Sequence, residues 1–174
     1  SPGLDHILSL SLQASGERLL IVEEPIPQSQ DNNLLLFDVA RGTLERLTTG
    51  HISGCCWDAS GTEIYISFGF LSHQSDAMPT GCYVTRMSLS EGKQETRIDK
   101  GMSITATGNP GEFAYLDSQK QLVLSRPDGK REILNVPKSL LDLRYFTDFR
   151  FVIGSRSIIL RRFGYWGNDA YLLD

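Results

Sequence analysis

The sequence predicts an all-β fold: a β-propeller, or partial propeller, of about four antiparallel blade-like units. Three observations carry that prediction. Short apolar stretches alternate with turn residues from end to end, and no segment sustains a helical period. A strand–turn–strand unit, Cys55-Cys56-Trp57-Asp58-Ala59-Ser60-Gly61-Thr62-Glu63-Ile64-Tyr65-Ile66, has an imperfect copy earlier, Leu8-Ser9-Leu10-Ser11-Leu12-Gln13-Ala14-Ser15-Gly16-Glu17-Arg18-Leu19-Leu20-Ile21. Its Ser-Gly pair stands at 15–16 and again 45 positions on, at 60–61, a blade-sized period. Finally, each unit repeats one order: strand, Gly turn, apolar strand, polar strand. An irregular sandwich explains the alternation but not that order.

The elements follow in sequence. Residues 6–12 alternate Ile7, Ser9 and Ser11 with Leu8, Leu10 and Leu12, which is period two. Residues 13–16 turn, with Gly16 supplying a positive φ at low cost. The unbroken Leu19-Leu20-Ile21-Val22 predicts a strand buried on both faces. Residues 23–33, with Pro25 and Pro27, break the pattern and read as an exposed loop. Residues 34–39 are a third apolar strand. Residues 43–48 are a polar fourth, as suits an outer edge. The second unit repeats this grammar with strands at 52–57, 63–68, 82–89 and 94–98 and a long loop at 69–81. The third has strands at 102–107, 112–116, 121–126 and 131–134, and Pro127-Asp128-Gly129 marks its last turn. In the fourth, 139–145 reads as a short helix or connecting strand. Strands follow at 149–153, 157–162 and 170–174, around an aromatic loop at 164–168. That unit ends on its third strand.

The totals bound the classes. A chain of 174 residues suits one domain, 1–174, with units at about 7–50, 51–101, 102–137 and 138–174. Its start, Ser1-Pro2-Gly3, is expected of a processed form or part of a longer protein. The net charge of −4 argues against a nucleic-acid partner. Basic and aromatic residues interleave from Lys138 onward, but Asp142, Asp148, Asp169 and Asp174 offset much of the charge. That segment reads as alternating strand faces with Arg outward. No apolar run approaches the ~20 residues of a membrane span. Cys55 and Cys56 are adjacent and point to opposite strand faces, so the three thiols read as small buried hydrophobes. Pairing of Cys82 with either stays open.

The stretch 56–66 resembles the WD40-like repeat of TolB-type propellers: an aromatic residue, a Ser-Pro-Asp-Gly turn or variant, a polar pair and an apolar strand. Residues 13–21 match more weakly, and Asn109-Pro110-Gly111-Glu112-Phe113-Ala114-Tyr115 matches at the turn. Here Ala59-Ser60 replaces the usual Pro-Asp. The resemblance implies a propeller of the kind found in periplasmic envelope proteins, in the sensory parts of CadC/ToxR-type membrane-anchored regulators and over prolyl-oligopeptidase-type peptidases. The expected function is therefore a non-catalytic protein- or ligand-binding module, the extracytoplasmic sensory or interaction domain of such a regulator or envelope protein. The alternative is a propeller fragment gating a peptidase whose catalytic domain is absent. The implied compartment is periplasmic.

Propeller loops between second and third strands emerge on one face, and long loops on a rigid scaffold carry binding. The candidate binding residues are Gln28, Asp31 and Asn32 in the first such loop, His73 and Asp76 in the second, and Tyr165, Trp166 and Asn168 in the last. Another protein, a second copy of the chain or a small ligand are the partners such a face suits. Two half-rings closing one eight-bladed ring is one assembly it allows. His6, His51 and His73 lack metal-ligand spacing, so no metal or other cofactor is expected. Ser53, Ser60 and Ser67 lie in no nucleophile elbow, and Asp58 and Ser60 belong to the turn itself, so no catalytic residue is assigned. Trp57 is expected to pack between blades.

Overall fold

The computed structural model describes residues 6–24, 31–69, 81–91, 93, 95–137, 146–151, 157–164 and 167–173. Among these there are fifteen strands and no helix. The first sheet holds β1 (His6–Leu12), β2 (Arg18–Glu24), β3 (Asn32–Asp38) and β4 (Thr43–Gly50). The second holds β5 (Ile52–Trp57), β6 (Glu63–Phe68), β7 (Tyr83–Ser88) and β8 (Glu95–Asp99). The third holds β9 (Gly101–Ala106), β10 (Phe113–Asp117), β11 (Leu122–Ser125) and β12 (Arg131–Leu134). The fourth holds three strands, β13 (Phe146–Phe151), β14 (Ile158–Gly164) and β15 (Gly167–Leu173). Each sheet runs in sequence order with antiparallel neighbours.

First strands lie side by side: β5 packs on β1 at one side and β9 at the other, and β9 also meets β13. This is blade stacking around an axis. The chain passes from outer strand to next inner strand in a single step, at His51 and again at Lys100. Burial follows that geometry. The second strand β6 is buried at five of its six positions, whereas the outer strands β8 and β12 are largely exposed. Leu20, Ile21 and Val22 are buried in succession, as the unbroken apolar run predicts.

Three apolar clusters fill the gaps between sheets. Leu20, Val22 and Leu34 of the first blade meet Cys55, Trp57, Ile64 and Ile66 of the second. On the other side of the second blade, Cys56, Tyr65 and Val84 meet Ile104, Phe113 and Tyr115 of the third. Adjacent Cys55 and Cys56 thus enter different clusters, because successive strand residues point to opposite faces. Cys82 sits in a further cluster with Met102, Leu116, Leu122 and Ile158. All three thiols are free and buried. Burial pushes Cys55 up to about 12 and also raises Cys56 and Cys82, so they behave as packing groups.

The fourth unit corrects the sequence reading. Its first strand begins at Phe146 rather than 149, while residues 152–153 and 139–145 lie outside the described residues. The expected loop at 164–168 is instead the end of a ladder that runs to the pair Gly164↔Gly167. Two intervening positions suffice because a two-residue connection is the commonest hairpin closure. Asn168 therefore stands in β15, opposite Phe163, rather than in a loop.

Candidate functional site

The two ends of the blades differ in chemistry. At one end lie the turns between first and second strands. The residue after each first strand repeats one bond within its own turn: Gln13 N–H donates to Arg18 O, Asp58 N–H to Glu63 O and Thr107 N–H to Glu112 O. At the first two of these positions the side chain also reaches across to the next blade. Gln13 Nε2 donates to Gly61 O at 2.7 Å, and Gly111 N–H donates to Asp58 Oδ1 at 2.7 Å. Asp58 is buried, and it also accepts Ser60 N–H at 2.9 Å and the Tyr65 hydroxyl at 3.5 Å. Trp57 is buried and donates its indole N–H to Ser11 O of the first blade at 2.8 Å. Trp57 and Asp58 are thus interblade ties, and this end is occupied by structure.

The opposite end carries the loops between second and third strands. His51 precedes β5 and Asp58 follows it, so about six residues at roughly 3.3 Å each put them some 20 Å apart. That distance excludes the His51–Asp58 pairing a hydrolase triad needs. At this end His51 Nε2 lies 3.5 Å from Asp31 Oδ1, and His51 O accepts Gly69 N–H at 2.7 Å. The root of the second long loop is thereby joined to the first. Alongside, Asn33 Nδ2 donates to Glu23 Oε2 at 3.3 Å and Thr49 Oγ1 donates to Asn33 Oδ1 at 3.0 Å. Thr49 and Asp31 are exposed, and Glu23 and Asn33 are half-buried. On the third blade the same end holds a cleft of about 760 Å³. Gln119, Lys120 and Gln121 line one side, and Ile133, Leu134 and Val136 the other. Asp117 Oδ1 shapes its rim by accepting Gln119 and Gln121 N–H, each at 2.8 Å. Its size suits a small ligand or a bound side chain, with apolar surface beside amide and ammonium groups.

Asp31 stands at this end just before β3, and Asn32 is the first residue of β3 rather than part of the expected loop. Asp31 is exposed beside His51, while Asn32 donates its amide to Ile52 O at 3.1 Å, across to the next blade. Gln28, His73, Asp76, Tyr165 and Trp166 lie outside the described residues, and Asn168 is in β15. Sequence reasoning places the loops at 23–33 and 117–120 on this face but names none of Glu23, Asn33, Thr49, His51 or the cleft residues as binding candidates. Glu23 and Asn33 are signalled only by being polar residues at facing strand ends. The cleft needs β11 and β12 aligned, with Leu122 opposite Leu134. Among the described residues no group of His, Cys, Asp and Glu is placed to hold a metal ion.

Solved structures with the same arrangement decide the fold. TolB from Acinetobacter baumannii superposes with a TM-score of 0.70 at 16% identity, over 98% of this chain and 41% of that one. The fold is that of a TolB-type, WD40-like β-propeller, in part. An auxiliary nutrient binding protein from Bacteroides thetaiotaomicron matches this propeller arc with a TM-score of 0.62, at 15% identity, over 98% of this chain and 42% of that one. The β-propeller domain of Myceliophteria thermophila Cps50 (Swd1) matches at 0.57 and 16%, over 90% and 49%. The arc thus spans less than half the length of each. No protein-family model matches the sequence, and no curated protein matches it. No helix among the described residues is long and apolar enough to cross a membrane.

Proposed function

We propose that this propeller arc is a non-catalytic binding module acting outside the cytoplasm, as the sensory or interaction domain of a bacterial membrane-anchored regulator or an envelope protein. The carrying observation is the contrast between the two blade ends. One is closed by interblade bonds through Gln13 and Asp58. The other presents the Asp31–His51 pair, the Glu23–Asn33–Thr49 chain and the third-blade cleft. Polar groups on a rigid sheet scaffold, already ordered by their own bonds, suit recognition at low entropic cost. The likeness to TolB and to a nutrient-binding protein supports an envelope setting.

The test is site-directed photocrosslinking in cells. A photoreactive residue replacing Asp31 or Lys120 is compared with one replacing exposed Ala14 or Asn109 at the closed end. A partner or ligand captured at Asp31 or Lys120, absent at Ala14 and Asn109, and lost on Asp31→Arg or Lys120→Glu supports the reading. Equal capture at both ends refutes the choice of face. Capture only in the cytoplasmic fraction refutes the compartment.

A further inference from the structure

The third-blade cleft is walled by two segments, each fixed by its own bonds. On one side, the turn from β10 to β11 is tied through Asp117. Its carbonyl accepts Lys120 N–H at 3.0 Å, and its N–H donates to Gln121 O at 3.0 Å. On the other side, the chain leaving β12 folds back, with Val136 N–H donating to Leu134 O at 2.9 Å. Leu134 and Val136 rest on the buried cluster of Leu122, Leu124 and Ile158, so the apolar wall has a packed floor. Exposed Ile133 adds to that wall. Walls ordered before a ligand arrives lower the entropic cost of binding it.

The charge in this cleft is of one sign. Lys120 lines it, as do Gln119, Gln121 and Asn135, and no carboxylate among the described residues does. Asp117, nearest in the chain, turns Oδ1 toward Gln119 and Gln121 N–H. Lys120 has a left-handed backbone, with φ of 61°. Glycine fills the same turn position between β11 and β12, where Gly129 has φ of 81°. Lys93, between β7 and β8, shares the left-handed conformation and pairs with Glu45. Lys120 is half-buried and has no carboxylate within ion-pair distance among the described residues. A cation held at a fixed point beside apolar surface suits an anion with an apolar body.

The backbone of β12 narrows the class of anion. β12 is the edge of its sheet. Arg126 N–H donates to Lys130 O, so that pair is hydrogen-bonded and the next, Ser125↔Arg131, is not. By the same alternation Leu124↔Glu132 is bonded and Val123↔Ile133 is not. The N–H and C=O of Ile133 therefore point away from β11, at the cleft that Ile133 lines. A peptide group pairs with such an edge as an added strand does, and an alkyl chain does not. We infer that the cleft binds the carboxyl end of a peptide whose last residue is aliphatic. Lys120 takes the terminal carboxylate, Ile133 and Val136 take the last side chain, and the outward backbone of Ile133 pairs with a peptide group upstream of it. This ligand class rests on the loop end being the binding face.

Amide-resolved NMR titration of the 174-residue chain tests this. The probe is acetyl-Gly-Val-Leu with a free carboxylate, compared with the same peptide as its C-terminal amide and with decanoate. The free acid should shift the amides of Gln119, Lys120, Gln121 and Ile133 saturably. The C-terminal amide should bind about tenfold or more weakly, because a bond to a charged group is lost. Lys120→Asn should remove that preference, so that acid and amide bind alike, and Lys120→Arg should keep it. Asparagine tolerates left-handed backbone, so Lys120→Asn should hold the parent unfolding midpoint. No shift at these amides with millimolar peptide overturns the inference. Equal affinity for acid and amide in the parent chain also overturns it, as does tighter binding of decanoate. If the acid peptide titrates while capture in cells is equal at both blade ends, the choice of face fails and this site stands. Capture at Asp31 or Lys120 with no peptide titration keeps the face and removes this ligand.

Discussion

Replacing Asp58 by Ala separates an interblade tie from a mere turn residue. The carboxylate is buried, at 4% exposure, and accepts two backbone N–H groups, Gly111 at 2.7 Å and Ser60 at 2.9 Å. Hydrogen bonds to a charged group contribute about 1.5–3 kcal/mol each, and a buried donor left without a partner costs about 1–3 kcal/mol. Ser60 N–H has water within reach at the turn; Gly111 N–H lies between blades. The Asp58→Ala loss should therefore be about 3 kcal/mol, nearer one full bond plus part of the second than the sum of both. For a chain of this size that corresponds to a fall in Tm of about 6–12 °C. Asp58→Asn keeps an acceptor oxygen and gives up the charge, so its loss should be about half as large. The assay is urea unfolding followed by Trp fluorescence, with amide exchange at Gly111 as the local readout. The exchange should quicken in Asp58→Ala while the β2–β3 amides of the first blade stay protected. A stability change below about 0.5 kcal/mol, the range of ordinary surface substitutions, would refute the assignment of Asp58 as a tie between blades.

Four further outcomes follow from the same geometry. Trp57→Phe keeps an aromatic ring but leaves Ser11 O without its indole donor, so it should cost about 1–3 kcal/mol; Trp57→Ala also empties the core between the first two blades and should cost about 3–5 kcal/mol in the same unfolding assay. The thiols of Cys55 and Cys56 are raised by burial from an ordinary 9.0, Cys55 to about 12. The folded state then holds protons that the unfolded state releases, so their contribution is intact below pH 9 and is lost as pH climbs from about 9 toward 12. Each unit of pH in that window should cost about 1.4 kcal/mol per group, measured as the urea midpoint against pH; Cys55→Ala should flatten the slope. Native protein should react with a thiol reagent only as fast as it opens, and all three cysteines should label in urea. Asp31→Ala and His51→Ala break a pair between an exposed carboxylate and a half-buried imidazole and should shift stability by less than about 1 kcal/mol, while lowering capture of a partner at the loop end.

Much of the fold was legible because strand and turn chemistry is local. The bounds of β1, β5, β6 and β12 coincide with the predicted ones, since alternation and a Gly turn act within a few residues. The fourth unit misled because the Gly-flanked aromatic pair at 165–166 resembles a loop in composition, and only the ladder Ile158↔Leu173 to Gly164↔Gly167 shows that strands run up to it. The candidate site was legible as a place, the loop end, more than as residues. Asp31 is there, but its partner His51 comes from the connection between blades, 20 positions away.

The sequence by itself determined the β class, the repeated four-strand grammar and the structural character of Trp57-Asp58-Ala59-Ser60-Gly61, because periodicity and turn preference are properties of neighbouring residues. Tertiary structure alone decided which side chains cross between blades. Gln13 to Gly61 spans 48 residues and Gly111 to Asp58 spans 53, and no local rule couples positions so far apart. It also decided that β1, indistinguishable by pattern from an ordinary half-buried strand, exposes Leu10 and Leu12. Alternation reveals that a strand has two faces; what each face meets depends on the sheet stacked beside it.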